Sequence, residues 1–151
     1  MCDTERDFER LDEALRQVPA LSVDLFRDLT KHCTRLSSLR QSGKAIALDR
    51  MIEAGAWTDA AVTLIALELP NWNVRRLICE DGEWFCSLSR YPCLPFFLDE
   101  SIERSHPVLA LAILRAFIAA RSSGPVVQQP TASVPQVRAA PAFVFCCDNL
   151  A

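Results

Sequence analysis

The chain has 151 residues, half of them hydrophobic and 23% charged, with a net charge of −3. That length suits one hydrophobic core, and the composition excludes a chain too polar to fold. So small a net charge gives no pull toward a polyanion or an anionic membrane, and the apolar runs Ala60 to Leu69 and Pro107 to Ala120 fall short of the ~20 residues of a spanning helix.

Residues Met1 to Asp7 do not read as a basic stretch followed by an apolar one, so no secretory signal is expected and a soluble, cytoplasmic protein is. Seven cysteines, at Cys2, Cys33, Cys79, Cys86, Cys93, Cys146 and Cys147, make an odd number without the spacing of a secreted scaffold. Reduced, mostly buried thiols are the expected state.

From Thr4 to Val18 the apolar residues Phe8, Leu11, Leu15 and Val18 recur at steps of three and four, the stripe of an amphipathic helix with Thr4 as its N-cap. Pro19 ends it. A second stripe, Leu25, Leu29, His32, Leu36 and Leu39, continues at steps of four and three and predicts a second helix, paired with the first in a hairpin. Ser42-Gly43 interrupts; Lys44 to Ala54 predicts a third helix, and Gly55 stands where a left-handed C-cap belongs.

After Trp57, Thr58 or Asp59 can cap a strongly apolar helix, Ala60 to Leu69, which Pro70 stops. Two β-rich runs follow, Val74 to Glu80 and Glu83 to Ser89, joined by Asp81-Gly82, the pair that a type I′ hairpin turn selects because both central residues need positive φ. This turn sets Cys79 against Trp84, Leu77 against Cys86 and Arg75 against Leu88. Side chains alternate along a strand, so Leu77, Cys79, Trp84, Cys86 and Leu88 are expected in the core. Val74, Arg76, Ile78, Phe85 and Ser87 share the other face, and Val74, Arg76, Ile78 and Phe85 form its candidate interaction patch.

Tyr91 to Leu98, with Pro92 and Pro95, reads as loop or a short edge segment. Ser105-His106-Pro107 reads as the start of a last helix running to Arg121, with Ser105 as N-cap. Residues 122–151 read as a Pro-, Ser- and Ala-rich tail, largely disordered, whose Ala142 to Cys147 segment is apolar enough to dock or to add a strand. The expected fold is therefore α+β: helices over residues 1–56, then an α-β-β-α module over residues 57–121, then the tail.

The residues Ala60-Ala61, Leu64-Ile65, Trp72, Asp81-Gly82-Glu83-Trp84, Cys86-Ser87-Leu88 and His106-Pro107 through Ala116 resemble the small phage-type ABA sandwich domains of phage and bacterial genomes. They also look like a set of short bacterial proteins. The likeness spans residues 57–121 and implies no activity, because none of these residues is a catalytic signature.

Candidate chemistry is sparse. Cys79, Cys86, Cys93 and His106 could supply a tetrahedral zinc set, but the gaps of six residues between the cysteines are longer than the paired spacing such sites use, so no metal is expected. His32 and Cys33 are adjacent on a helix and point about 100° apart, which denies them a nucleophile–base geometry. The four glycines leave no phosphate loop. Neither a catalytic residue nor a cofactor is assigned, and the balance leans away from an enzyme. Arg27, Lys31 and Arg35, extended by Arg40, Lys44 and Arg50, form a basic row that could meet phosphates and reads more simply as a solvated helix face. Asp99, Glu100 and Glu103 ahead of the last helix weigh against a double-stranded-RNA-binding arrangement. The leading expectation is a non-enzymatic protein-interaction or self-association module. Its alternative is a nucleic-acid-binding accessory protein using the Arg27 to Arg50 row.

Overall fold

The computed structural model describes residues 2–95 and 98–123, with side chains from residue 6 onward. The expectations placed on the Cys2 side chain, on the stretch 96–97 and on the tail from 124 to 151 lie outside what is described. The elements are α1 (Cys2–Gln17), α2 (Val23–Lys31), α3 (Thr34–Ser38), α4 (Gly43–Glu53), α5 (Trp57–Glu68), β1 (Asn73–Glu80), β2 (Glu83–Ser89), β3 (Ser101–His106) and α6 (Leu109–Ser122). The class is α+β, as the sequence patterning implies, with one strand more than the α-β-β-α order allowed.

Helix α1 buries Phe8 and Leu15 and lays them against α6, so its partner is the last helix and not α2. The second stripe, expected as one helix, is two. Ser22 caps α2 by accepting the Leu25 N–H at 3.3 Å, and the helix stops at His32; Cys33 is extended and α3 starts at Thr34. No glycine or proline forces this break. It is held from outside by Glu68 at the end of α5 and Arg121 near the end of α6. Cys33 gives α3 no side-chain cap. The Glu68 carboxylate takes that role, accepting the Leu36 N–H at 2.8 Å and the Arg35 N–H at 3.4 Å. Arg121 pairs with Glu68, donates to the His32 carbonyl at 3.2 Å and to Thr34 Oγ1 at 3.3 Å, and lies 5.1 Å over the Phe8 ring. An anion thus meets the positive end of α3 and a cation the negative end of α2, which is the favourable sense for both helix dipoles.

Ser42 is a cap and not an interruption, accepting the Ala45 N–H at 3.2 Å to open α4. Gly55, at φ +71°, closes that helix: its N–H reaches the Ile52 carbonyl at 3.2 Å and the Ala56 N–H reaches Met51 at 2.9 Å. This is the paired bonding that a left-handed residue after a helix permits. The chain therefore re-enters helix at Trp57, three residues ahead of the expected Ala60. Neither Thr58 nor Asp59 caps α5, whose cap residue is Ala56.

Asp81 and Gly82 have φ of +51° and +80°, as a type I′ turn demands. The hairpin pairs Cys79 with Trp84 and Leu77 with Cys86 as expected, then departs: a bulge between Val74 and Arg76 leaves Val74, not Arg75, opposite Leu88. Strand β3 then pairs along the far side of β2, placing Ile102 against Leu88 and His106 against Trp84, to give the order β1-β2-β3. Ser105 and His106 thus end a strand, and α6 begins only at Leu109.

Helix α6 packs beneath β2 and β3. One continuous core joins Leu15, Phe26, Leu29, Leu48 and Ile52 from the N-terminal helices to Leu64, Leu88, Leu111 and Phe117. Residues 57–121 therefore share their interior with residues 1–56.

Replacing Glu68 by Ala is expected to cost about 3–5 kcal/mol in urea unfolding, because it strands a largely buried guanidinium and uncaps α3. Glu68→Gln, which retains an acceptor for the Leu36 N–H, is expected to lose less.

Candidate interaction surface

Strand β2 is the middle of the sheet, and this decides what the hairpin exposes. Its helix-facing residues Cys86 and Leu88 are fully buried, and Trp84 packs partly buried against the core. Their neighbours of the same parity on β1 are not covered: Leu77 is 37% and Val74 36% exposed, and Cys79 is exposed. The expectation that Leu77 and Cys79 enter the core is thus corrected. The expected two-stranded sheet would centre the core between β1 and β2; the third strand moves that centre to β2, and β1 overhangs its edge.

The candidate patch is divided by the same bulge. Ile78 pairs with Phe85 and Arg76 with Ser87, so Arg76, Ile78 and Phe85 share the face away from α6, with Ile78 and Phe85 half-buried. Val74 pairs with the core residue Leu88 and therefore belongs to the opposite face. Arg75, the extra residue, ion-pairs with Asp99 and reaches the Leu94 carbonyl at 3.2 Å. Burial works to raise the Asp99 pKa. The Ser89 hydroxyl, 2.7 Å from both carboxylate oxygens, the Tyr91 N–H at 3.0 Å and Arg75 together hold it below the usual carboxylate range. These bonds pin the β2–β3 connection to the start of the hairpin.

Among the described residues β1 has no strand on its outer side. In a hairpin closed by a two-residue I′ turn the flanking pair, here Glu80 and Glu83, exchanges both backbone bonds. Alternation then turns the N–H and C=O of Cys79 and Leu77 outward. The surface is a short strand edge with unused backbone groups and exposed apolar side chains.

The candidate chemical groups lie apart. Cys86 is in the core and Cys79 and Cys93 are exposed. Among the described residues no three His, Cys, Asp or Glu side chains gather as a metal site. Cys33 is buried, its thiol 3.5 Å from the Leu29 carbonyl, while His32 turns toward Asp7 at 3.9 Å. Burial pushes the Cys33 thiol up to about 11, against the opposing pull of Arg121. Burial, helped by Glu103, pushes Cys86 up to about 12. Neither thiol has the thiolate character a nucleophile needs.

The basic row does gather in part. Arg27, Lys31 and Arg40 line a groove of about 380 Å³ together with Thr30, Ser37 and Asp49. Arg27 is 3.4 Å from Glu53 and Lys31 2.6 Å from Asp28, so two of the three cations already face carboxylates.

His106, read from the sequence as a ligand candidate beside a helix start, is buried at the end of β3. Its Nδ1 accepts the Val108 N–H at 2.9 Å, a bond only the unprotonated nitrogen can accept. Burial first, then the Arg115 guanidinium, hold its pKa below the usual histidine value, against a hydrogen bond with the Arg16 backbone. Arg115 also binds Asp12 at 3.0 Å and the Ser105 carbonyl at 2.6 Å, tying α1, β3 and α6 together.

Compared with models of protein families, with curated proteins and with solved structures, the chain matches none.

Two outcomes are expected. As pH falls, the unfolded chain's imidazole takes up its proton near its ordinary pKa of about 6.5, before the folded chain's does. Melting temperature should therefore hold above that pH and decline below it, with a shallower decline in His106→Asn, which keeps an acceptor for Val108. In mass spectrometry after brief alkylation, Cys93 should be modified in the native protein, and Cys33 and Cys86 only after unfolding.

Proposed function

We propose that the protein is a non-enzymatic interaction module that engages a protein partner along the edge of β1. The observation that carries this reading is the overhang: Leu77 and Cys79 have core parity yet stand exposed, beside a strand edge whose backbone groups point outward. A partner strand laid there would satisfy those groups and cover those side chains, the usual mode of β-strand addition. Arg76, Ile78 and Phe85 would form the rim on the other face. The buried, high-pKa thiols of Cys33 and Cys86 give a thiol-nucleophile reading no support.

A nucleic-acid role for the Arg27 to Arg50 row is the second reading, favoured only by the groove that Arg27, Lys31 and Arg40 line. Its partners Glu53 and Asp28 would have to be displaced by phosphate, and such binding would fall steeply with added salt.

The test is Leu77→Pro. Because the Leu77 N–H points away from β2, proline there removes an edge donor and leaves the hairpin's own bonds in place. Extended peptides selected from a displayed library against the wild-type protein should lose binding to the variant while its circular dichroism and melting stay close to wild type. Undiminished binding would remove the β1 edge from the proposal.

A further inference from the structure

Resting on that reading, we infer that the partner at this edge is a second copy of the chain, paired antiparallel through β1 with the twofold axis at Ile78. The argument begins with the order of charges. Around Ile78 the strand runs Arg76-Leu77-Ile78-Cys79-Glu80, with a cation two residues before the centre and an anion two residues after it. A twofold axis through Ile78 sets Arg76 opposite Glu80 of the second copy, and Glu80 opposite Arg76 of the second copy. In the single chain these two side chains reach toward one another at 4.0 Å, and both are exposed, at 49% and 63%, so both are free to turn outward.

Backbone parity agrees. Leu77 and Cys79 carry the outward-pointing groups, and an axis at Ile78 pairs Leu77 with Cys79 of the second copy in the hydrogen-bonded sense, once on each side of the axis. Ile78 meets its own copy at a non-hydrogen-bonded position, where side chains approach most closely. On the helix-facing side each copy covers the other's exposed Leu77 and Cys79.

The competing registers are poorer. An axis at Arg76 sets arginine against arginine, and one at Glu80 sets glutamate against glutamate, both repulsive when directly opposite. An axis at Leu77 places Glu80 against Val74, and one at Cys79 places Ile78 against Glu80, so neither joins opposite charges. Odd-numbered slips would align an outward residue with an inward one and lose the ladder. The bulge at Arg75, committed to Asp99, ends the usable edge just before Arg76, which confines pairing to this span.

Light scattering on the full chain should give a dimer mass. Arg76→Glu and Glu80→Arg each set like charges opposite one another at both ends of the pairing and should weaken self-association about tenfold or more. An equimolar mixture of the two variants should recover the dimer, because each then presents the charge the other lacks. No effect confined to one chain produces that recovery.

An independent measurement is Ile78→Cys in a Cys79→Ser background. At a non-hydrogen-bonded twofold position the two Cα atoms lie about 4.5 Å apart, within disulfide reach, so mild oxidation should give a covalent dimer through residue 78. A wild-type chain that stays monomeric, single variants that dimerise like wild type, or a mixture that stays monomeric would each overturn the inference. If the chain is monomeric yet its edge still binds extended peptides in a manner lost in Leu77→Pro, only the second copy is ruled out. If it is dimeric and indifferent to Leu77→Pro, the edge reading fails with it.

Discussion

The fold turns on one buried ion pair. Glu68 is almost completely enclosed and Arg121 largely so, and taking two charges out of water is favourable only where further hydrogen bonds use their remaining capacity. Here those bonds go to backbone that would otherwise be unsatisfied: two N–H groups at the start of α3 and the carbonyl that ends α2. The pair therefore converts a chain break into an ordered corner. Through Phe8, which lies under the Arg121 guanidinium, the same corner holds α1. Five helices meet at two side chains, and this makes the N-terminal region part of the same body as the sheet.

That arrangement explains why the pattern of the second stripe misleads. Leu29 and Leu36 are both buried and remain seven residues apart, so periodicity runs through the corner as though the helix did. Ser-, Gly- and Pro-based punctuation is absent there, and the cause lies 32 or more residues away in Glu68 and Arg121. A carboxylate at the end of a mostly apolar helix, two residues before Pro70, is the visible trace of it. By contrast the Asp81-Gly82 turn was legible because its stereochemistry is local. The register it fixes holds through Arg76 and fails only at Arg75, where an acid from the β2–β3 connection captures the side chain.

Strand β3 was the largest omission. In Ser101-Ile102-Glu103-Arg104-Ser105-His106 only Ile102 is apolar, since Arg104 and His106 occupy the other helix-facing positions, so no alternating hydrophobic signal exists. Of the acids read as preceding the last helix, Glu103 lies within this strand, and Asp99 and Glu100 lie in the connection ahead of it. Its presence recentres the sheet, and that alone changes the meaning of Leu77 and Cys79 from interior residues to exposed ones. The candidate patch was legible as a face but not as an edge, because the register carried Val74 away from it.

The two margins of the sheet are unlike. On β3 the Arg115 guanidinium occupies the Ser105 carbonyl, and Glu103 and Arg104 place charges along the strand, features that discourage a further strand from joining. Sheets with two receptive margins can add molecules without limit and grow into fibres. With one margin blunted in this way, the pairing proposed at β1 would close after a single addition, the grip of Arg115 on the Ser105 carbonyl leaving the other margin unreceptive to a further strand.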